Sequence, residues 1–388
     1  AGIKIAVVIT SLPYLFSKIK ISKTFYGTVY IHNLGNMLSI MTVFWTYASM
    51  KIFVVKEKNN GELRIPITDD IAEKLINLGH EVCDKNGQIS TADMVISINP
   101  LSPEVIKSMK NGSISISIQK PHVNKENLKI FQEKNITSYA LDMIPRTTKA
   151  QYMDVLSSQS SLAGYRAVIE AAHILNRAFP MMMTTAGTIP AAKVLVIGAG
   201  VAGLQAIATA KRLGAAVNAF DVRASAKEQV ESLGAKFVEV ISDEKDKMDG
   251  VYAKETSEKY KKAQEEKLKS VISVQDIVIT TAQIPFKKAP VIIKKDTLDL
   301  MKNGSIIIDL ASETGGNCEI TKHGKTVIHK EKVKVVSFVN ILNGIHHDAS
   351  KLFSKNVFAF IELLFSNPED EIIKSTTLTK DGQLLKEI

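Results

Sequence analysis

Short runs of apolar residues, many of them β-branched, alternate along this chain with longer stretches in which apolar side chains recur at helical spacing. Runs of this length suit strands buried on both faces of a parallel sheet, and the stretches between them suit helices that cover the sheet. A regular alternation of the two predicts repeated βαβ units. We therefore predict an α/β fold with two Rossmann-like, doubly wound parallel-sheet domains and a cleft between them.

The predicted elements fall into two groups. Strands of the first group are predicted at 50–55, 94–98, 113–118 and 137–140, with helices at 71–78, 103–109 and 125–133. Strands of the second group are predicted at 194–197, 216–220, 236–240, 276–281, 305–310 and 333–339, with helices at 204–213, 226–233, 256–270 and 296–301. A last helix, 350–365, is predicted to return to the first domain.

The segment that joins the two groups is polar at first and apolar later. Residues 142–161 are predicted to form a polar connector, and 162–179 a long amphipathic helix that bridges the domains. Residues 180–190 contain consecutive methionines and several threonines. This last stretch is predicted to be a link in which the methionines are packing or loop residues.

These elements divide the chain into three segments. Residues 1–49 are an extension of unknown role, 50–145 together with 346–388 form the first domain, and 146–345 form the nucleotide-binding domain. The apolar patches of the extension are shorter than the ~20 residues that a membrane-spanning helix needs. The extension carries no motif, so no function is assigned to it.

A glycine motif follows the first strand of the second group. Gly198, Gly200 and Gly203 form Gly-x-Gly-x-x-Gly, in which the first glycine permits a tight turn, the second admits a pyrophosphate and the third allows close helix packing. Asp221 ends the next strand, where a carboxylate can bind the ribose hydroxyls of NAD. Strand, motif, helix, strand and acid in this order favour an NAD site over a structural turn. Arg223 keeps NADP open as an alternative.

Composition narrows the choice of function. The chain has 388 residues, of which 45% are hydrophobic and 23% charged, as in globular proteins of two or three domains. Its net charge is +9, but the lysines are scattered and the 6% aromatic residues do not interleave with them, so we predict no nucleic-acid partner. Cys83 and Cys318 form no disulfide framework, and His173, His346 and His347 lack metal-ligand neighbours, so no metal site is predicted.

Further motifs occur in order along the chain. They are Pro145-Arg146 with Gln151, Asp154 and Ser157, then Ala163-Gly164-Tyr165-Arg166, Asp221-Val222-Arg223, Gly250-Val251-Tyr252, the stretch 280–285 and the stretch 309–318. Together they resemble the NAD(H)-binding domain I of the proton-translocating NAD(P) transhydrogenases, which are related to alanine dehydrogenases. The resemblance runs from about residue 50 to the C-terminus and is densest between 142 and 319.

The resemblance implies a loop that faces the nicotinamide ring. In it, Arg146, Asp154 and Ser157 hold the carboxamide and ribose, and Gln151 contacts the nucleotide of a partner domain. Hydride transfer requires no acid or base from the protein, which has to set the distance and orientation of the two rings. Taken without the resemblance, the same stretch is typical of a charged linker.

The glycine motif and the resemblance together give the predicted cofactor contacts. These are Gly198, Gly200, Val201, Ala202, Gly203, Asp221, Val222, Arg223, Val251, Tyr252, Gln264, Thr281, Ala282, Gln283 and Asn317. Tyr252 matches the tyrosine of a loop that closes over NAD in the family. Two positions depart from the family pattern, since Val251 replaces a glycine and Gln283 a leucine.

The resemblance also implies the setting in which the chain acts. It would be the NAD(H)-binding component of a transhydrogenase and would pass hydride from NADH to NADP+ on a separate NADP-binding domain. A membrane proton-channel domain would be a further partner, and the chain would form a homodimer. Its location would be intracellular, at the peripheral face of an energy-transducing or organellar membrane.

Two alternatives stay open from the residues. An alanine dehydrogenase needs a cationic carboxylate clamp and an acid–base group. Arg64 is a candidate clamp and Glu313 matches an active-site aspartate, but Ser97 and Gln119 stand where the family has a lysine and a histidine. The second alternative is an inactive NAD-binding module. The first domain is also predicted to be shortened after Val82, where relatives have a longer glycine-rich excursion.

Overall fold

The computed structural model describes residues 5–6, 25–29, 41–45, 49–57, 61–84, 88–239, 258–284 and 287–386. The chain divides into two compact units, Ala1–Leu156 with Ser350–Ile388 and Ser157–Ala349. Each unit contains a seven-stranded sheet in which most neighbours are parallel. The predicted α/β class with two Rossmann-like parallel sheets is therefore confirmed.

The strands and helices are numbered in chain order. The strands are β1 Ile5–Ala6, β2 Phe25–Val29, β3 Met41–Trp45, β4 Lys51–Val54, β5 Glu81–Cys83, β6 Met94–Ile96, β7 Ile114–Ser117, β8 Thr137–Ala140, β9 Met182–Thr184, β10 Gly187–Ile189, β11 Lys193–Ile197, β12 Ala216–Phe220, β13 Lys236–Phe237, β14 Ile277–Thr280, β15 Ser305–Asp309, β16 Thr326–His329, β17 Val333–Val336, β18 Thr377–Lys380 and β19 Gln383–Leu384. The helices are α1 Asp69–Asn77, α2 Pro103–Ser108, α3 Lys125–Glu133, α4 Val155–Ile174, α5 Val201–Arg212, α6 Ala226–Ser232, α7 Glu258–Ser273, α8 Lys295–Leu300, α9 His346–Ser366 and α10 Glu371–Thr376.

The sheet of the first unit has the order β19, β18, β8, β7, β6, β4, β5. Its strands β4 to β8 are parallel, whereas β18 joins β8 in the antiparallel sense and β19 pairs with β18. The C-terminal segment therefore supplies one edge of this sheet. The sequence pattern did not predict β18 or β19, because their threonines and lysine lack an apolar run. In residues 1–49, β1, β3 and β2 form a separate antiparallel sheet.

The sheet of the second unit has the order β13, β12, β11, β14, β15, β17, β16. Every neighbouring pair is parallel except β16 with β17. The predicted strands at 194–197, 216–220, 276–281, 305–310 and 333–339 are confirmed, with small shifts at their ends. The strand β16 was not predicted, because it lies at the edge and exposes Thr326 and Ile328.

Core residues cover both faces of the second sheet. Val194 and Val196 of β11 pack in one apolar cluster, while Leu195 and Ile197 pack in another on the opposite face. Successive side chains of a strand point to opposite faces, so both clusters are needed to bury one strand. This two-sided burial explains why the strand is a continuous apolar run in the sequence.

The joining segment differs from its prediction. Helix α4 begins at Val155 and ends at Ile174, instead of spanning 162–179, and a 3₁₀-helix occupies Thr148–Met153. The polar connector predicted at 142–161 is therefore wrong for most of its length. Its serines and glutamines are compatible with a helix because one side of the first turns is buried, including Val155 and Gln159.

The boundaries between the units also differ from the predicted domain boundaries. Residues 146–156 fall in the first unit, because Ala150, Met153 and Val155 belong to its apolar cluster. Residues 346–349 fall in the second unit, where the Gln159 amide donates to the Ala349 carbonyl at 3.0 Å.

Residues 182–189 form an antiparallel hairpin of β9 and β10, where a link was predicted. All three methionines at its base and first strand are exposed, and Met183 is 80% exposed. Core packing, one of the two roles predicted for these methionines, is therefore wrong. Among the described residues, no helix has both the length and the apolar character that crossing a membrane requires.

Candidate functional site

The turn after β11 has the shape that the glycine motif predicts. Gly198 has φ +97, and a Cβ there would lie 2.5 Å from the Thr281 hydroxyl. A Cβ on Gly203 would lie 1.8 Å from the Gly198 carbonyl oxygen, so no larger residue fits while the helix packs this closely. A Cβ on Gly200 would meet nothing within 4 Å. The turn is therefore closed on the protein side and open on the side where a diphosphate would approach.

Helix α5 begins directly at this open side. Gly200 is its N-cap, and its carbonyl accepts the Leu204 N–H at 2.8 Å. The N–H groups of the first turn, which includes Val201 and Ala202, have no carbonyl partner within the helix and are available to bind an anion. Gly164 of α4 packs against this turn, because a Cβ there would lie 2.0 Å from the Ala202 carbonyl oxygen. This close contact has no local sequence signal, since the two residues are far apart in the chain.

Asp221 follows β12 and already has hydrogen-bond donors on both carboxylate oxygens. Its Oδ2 accepts the Ala199 N–H at 2.7 Å, and its Oδ1 accepts the Arg223 N–H at 2.8 Å. The Arg223 guanidinium donates to both oxygens, at 2.9 and 3.1 Å. Burial opposes ionisation, but the hydrogen bonds from Arg223 and from the two backbone N–H groups hold the pKa of Asp221 below its ordinary value.

The segment after β14 lies beside the glycine turn. The Thr281 hydroxyl donates to the Gly198 carbonyl at 3.0 Å, and the Ala282 N–H donates to the Asn317 side chain at 3.0 Å. Gln283 is exposed and its amide donates weakly to a backbone carbonyl at 3.4 Å. Thr281 thus joins the segment after β14 to the turn after β11, and Gln283 is the member that faces solvent.

Asn317 is fully buried, and its side chain is used by the backbone of the same region. Its amide donates to the carbonyls of Ala282 and Pro290 at 2.8 Å each. Asp309, which ends β15, accepts the Asn317 N–H at 2.8 Å and the Thr280 hydroxyl at 3.0 Å. Asp309 was not singled out from the sequence, although an acid at the end of a buried apolar run was a usable signal. A cofactor contact of Asn317 stays a prediction.

The remaining predicted cofactor contacts are less closely grouped. Val222 is 75% exposed, and Gln264 is half-buried on α7. Val251 and Tyr252 lie outside the described residues, so the predicted closing loop stays a prediction.

A shallow cavity of about 200 Å³ opens in the second unit near the carboxyl ends of β15 and β17. Its polar lining includes Gln159, Asp309, Glu313 and Asn340. The Ser312 hydroxyl lies 3.1 Å from the His323 Nδ1 at its edge. Ligands of open α/β sheets bind at this edge of the strands.

The loop predicted to face the nicotinamide belongs to the first unit. Arg146 and Gln151 are exposed and Asp154 is half-buried, whereas Ala150 and Met153 are buried in the core of that unit. The loop therefore presents its polar side chains outward from two apolar anchors. Its fourth predicted member, Ser157, is half-buried on α4 and falls in the second unit.

Two contacts with the C-terminal segment also hold this loop. Lys149 forms an ion pair with Asp370, whose other oxygen accepts the Ile372 N–H at the start of α10. The Asn356 amide of α9 donates to the Tyr152 carbonyl at 2.7 Å. The loop is therefore fixed at its middle and at its end by residues more than 200 positions away in the chain.

The residues considered for an alanine dehydrogenase are engaged in other contacts. Arg64 is buried and donates to both oxygens of Glu62, at 2.9 and 2.7 Å. Ser97 donates to the Asn99 carbonyl at 2.8 Å, and Gln119 donates to the Ser115 hydroxyl at 3.3 Å. A carboxylate substrate would have to compete with Glu62 for the guanidinium.

Comparison with known proteins identifies the family. The alanine dehydrogenase/PNT C-terminal domain matches residues 167–387, and the corresponding N-terminal domain matches 82–163. A Rickettsia prowazekii protein named as the first portion of NAD(P) transhydrogenase subunit alpha is 41% identical, over 87% of this chain and 97% of that protein. The protein of the same name from Rhodospirillum rubrum is 43% identical, over 87% of this chain and 98% of its own length.

A solved structure agrees with these matches. The crystal structure of transhydrogenase from Sinorhizobium meliloti superposes with a TM-score of 0.77 at 39% identity, and the match covers 86% of this chain and 100% of that one. The resemblance found in the motifs is thereby confirmed at the level of the family. The chain belongs to the alanine dehydrogenase/PNT family.

Proposed function

We propose that this chain is the NAD(H)-binding component of an NAD(P) transhydrogenase, and that it passes hydride from NADH to NADP+ held on a partner domain. The observation that carries the proposal is the similarity, over nearly their whole length, to relatives named as the first portion of NAD(P) transhydrogenase subunit alpha. The word subunit in that name implies further chains in those proteins.

The second unit fits a dinucleotide. The glycine turn is closed against Thr281 and open at Gly200, as a diphosphate requires. The first turn of α5 offers N–H groups to that diphosphate, and Asp221 stands at the end of the neighbouring strand. Because a 2′-phosphate would meet the Asp221 charge, the site favours NAD(H) over NADP(H).

When bound, the nicotinamide ring supplies the hydride chemistry. The residues of this chain bind and orient: the glycine turn holds the diphosphate, and Asp221 holds the adenosine ribose. Arg146, Asp154 and Ser157 hold the carboxamide and the second ribose, and Gln151 contacts the nucleotide of the partner domain. By the family resemblance, Tyr252 would belong to a loop that closes over bound NAD(H). No residue of this set has to transfer a proton.

The proposed partners follow from the same family. They are an NADP-binding domain that receives the hydride, a membrane domain that conducts protons, and a second copy of this chain. The chain would then work at the peripheral face of a membrane that bears the proton-channel domain. Proton coupling belongs to that domain and not to the chain described here.

A reconstitution tests the proposal. The chain is mixed with a separately prepared NADP-binding domain of a relative, and hydride transfer from NADH to an NADP+ analogue is followed by absorbance. We expect transfer in the mixture and none with either component alone. Gln151→Ala should slow transfer without lowering NADH affinity, whereas Thr148→Ala, a neighbouring exposed position, should change neither.

The other outcomes identify the alternatives. Alanine-dependent reduction of NAD by the chain alone would indicate an alanine dehydrogenase. NADH binding without either reaction would indicate an inactive binding module. The bidentate contact between Arg64 and the buried Glu62 counts against the dehydrogenase, because the clamp that its substrate needs is already paired.

A further inference from the structure

In the proposed NAD(H) site, Asp221 selects the nucleotide, and the structure leaves its carboxylate no free acceptor position. A carboxylate offers about four lone-pair positions. Here the Ala199 N–H and one guanidinium nitrogen of Arg223 occupy Oδ2, while the Arg223 N–H and Nε occupy Oδ1. The side chain of Asp221 is only 7% exposed. A ribose hydroxyl can therefore bind only if one of these four donors leaves.

The four donors are not equally free to leave. The Ala199 N–H belongs to the glycine turn, and Ala199 is 1% exposed. The Arg223 N–H is two residues from Asp221 and is held by the course of the backbone. The Arg223 side chain, in contrast, is 59% exposed, and its other contact is a 3.3 Å hydrogen bond to the Ala199 carbonyl. It is the donor that can move into solvent at small cost.

We propose that Arg223 is a displaceable counter-ion of Asp221 and thereby a specificity-determining residue, an inference that rests on the proposed NAD(H) site. The ribose of NADH displaces the guanidinium from the carboxylate. The displaced guanidinium stays tethered next to the ribose edge, where it can meet a 2′-phosphate. Arg223 thus opposes NADH slightly and favours NADPH, because its guanidinium can pair with the 2′-phosphate.

The two effects have opposite signs, so one substitution separates them. In Arg223→Ala, the ribose no longer competes with a guanidinium, and NADH affinity should rise by up to about fivefold, the range of an exposed ion pair. NADPH would lose its charge-assisted contact, and its affinity should fall by about tenfold to a hundredfold. A merely structural role of Arg223 would lower both affinities together.

The test is calorimetric titration of the full chain with NADH and with NADPH, on the wild type and on Arg223→Ala. Arg212→Ala is the matched control, because it removes the same charge from the far end of α5, about 18 Å along the helix from the glycine turn. The control should bind both nucleotides like the wild type. Arg223→Lys should keep some of the NADPH affinity.

The possible results distinguish failure of the role proposed for Arg223 from failure of the proposed NAD(H) site. A fall in NADH affinity in Arg223→Ala, or NADPH affinities equal in wild type and variant, overturns the role of Arg223 and leaves the NAD(H) site in place. Absence of NADH binding to well-folded wild type overturns the proposed function, and the role of Arg223 with it. Opposite shifts for the two nucleotides, absent in the control, support the inference.

Discussion

At the scale of single residues, two glycines have no room for a side chain. Gly203 lies against the Gly198 carbonyl, and Gly164 lies against the Ala202 carbonyl on the neighbouring helix. Both contacts involve backbone atoms, which cannot rotate away as a flexible side chain can. The glycine motif predicted the first contact, because its spacing is a known solution to strand–helix packing. The second contact joins two helices and depends on their tertiary placement.

We expect Gly203→Ala to separate α5 from β11. The new methyl group would sit 1.8 Å from the Gly198 oxygen, so the helix must shift and the free energy of unfolding should fall by about 1–3 kcal/mol. NADH affinity should fall as well, because the N–H groups of the first helical turn move. Urea unfolding and NADH titration measure the two effects. Gly200→Ala is the control for stability, because a Cβ at Gly200 would meet no atom within 4 Å. Equal losses of unfolding free energy in the two variants would contradict the steric explanation.

His80 predicts a dependence of stability on pH. It is buried in the first unit, with its ring 5.1 Å from that of Phe365, and burial lowers its pKa from the ordinary value of about 6.5. Below about pH 6.5, His80 therefore binds a proton in the unfolded chain but stays neutral in the folded chain. The free energy of unfolding falls as the pH drops below this value. Above about pH 6.5, His80 is neutral in both the folded and the unfolded chain, so its protonation no longer lowers the stability.

Urea unfolding at about pH 7.5 and about pH 5.5, on either side of the ordinary histidine pKa, measures this dependence. His80→Gln removes the titrating group, so the difference in unfolding free energy between the two pH values should shrink. His347→Gln, an exposed histidine with 86% of its side chain accessible, is the control and should keep the wild-type difference. An unchanged difference in His80→Gln would refute the assignment.

At the scale of elements, the most consequential feature is the anchored loop before α4. Its polar side chains face outward, while the C-terminal segment holds it through Asp370 and Asn356. A stretch of this composition was predicted to be a connector because nothing local distinguishes it from one. Its 3₁₀ turn forms because Ala150 and Met153 find apolar partners supplied by distant regions of the chain.

The ion pair of Lys149 and Asp370 should position this loop for the proposed reaction. Lys149→Ala should reduce hydride transfer in the reconstituted mixture several-fold. NADH affinity should fall less than the transfer rate, since the loop holds only the nicotinamide end of NADH and the glycine turn belongs to the other unit. The stability loss should stay below about 1 kcal/mol, because Lys149 is largely exposed. Asp370→Asn should have the same effect, because it removes the negative charge that pairs with Lys149. The asparagine side chain can still cap α10, so the helix itself should be unaffected.

A double-mutant cycle checks this explanation. If the two residues act through one ion pair, combining Lys149→Ala with Asp370→Asn adds little to either change alone. Hydrogen exchange of residues 146–153 should speed up in all three variants, and Lys149→Arg should restore the wild-type rate. Lys129→Ala on α3, an exposed lysine, is the control. Fully additive losses would contradict a shared role.

At the scale of the whole molecule, the two units have separate apolar cores. The clusters of the second unit draw their members from residues 167–341, and those of the first unit from both ends of the chain. Phe360 of α9 is fully buried in the first unit and meets Tyr139 edge to face, with ring centres 5.5 Å apart. Helix α9 therefore completes the core of the first unit, although the second unit separates α9 from residues 49–156 along the chain.

This separation predicts two unfolding transitions. Phe360→Ala should lower the unfolding free energy of the first unit by about 3–5 kcal/mol and leave the unfolding transition of the second unit unchanged. Val196→Ala, in the core of the second unit, should lower the other transition. NADH should raise the transition that Val196→Ala lowers more than the other one, because the glycine turn and Asp221 belong to the second unit. Scanning calorimetry distinguishes these results from a single transition that both substitutions shift together.

The sequence by itself determined the fold class, most strands and helices of both sheets, and the glycine turn with Asp221. These features depend on residues close together in the chain, so apolar runs and motif spacing are enough to predict them. The tertiary structure alone decided the early start of α4, the β18 edge and the anchoring of the 146–154 loop. Each of these features depends on contacts between residues that are far apart in the chain. Apolar periodicity and motif spacing describe only nearby residues, so they cannot predict such contacts.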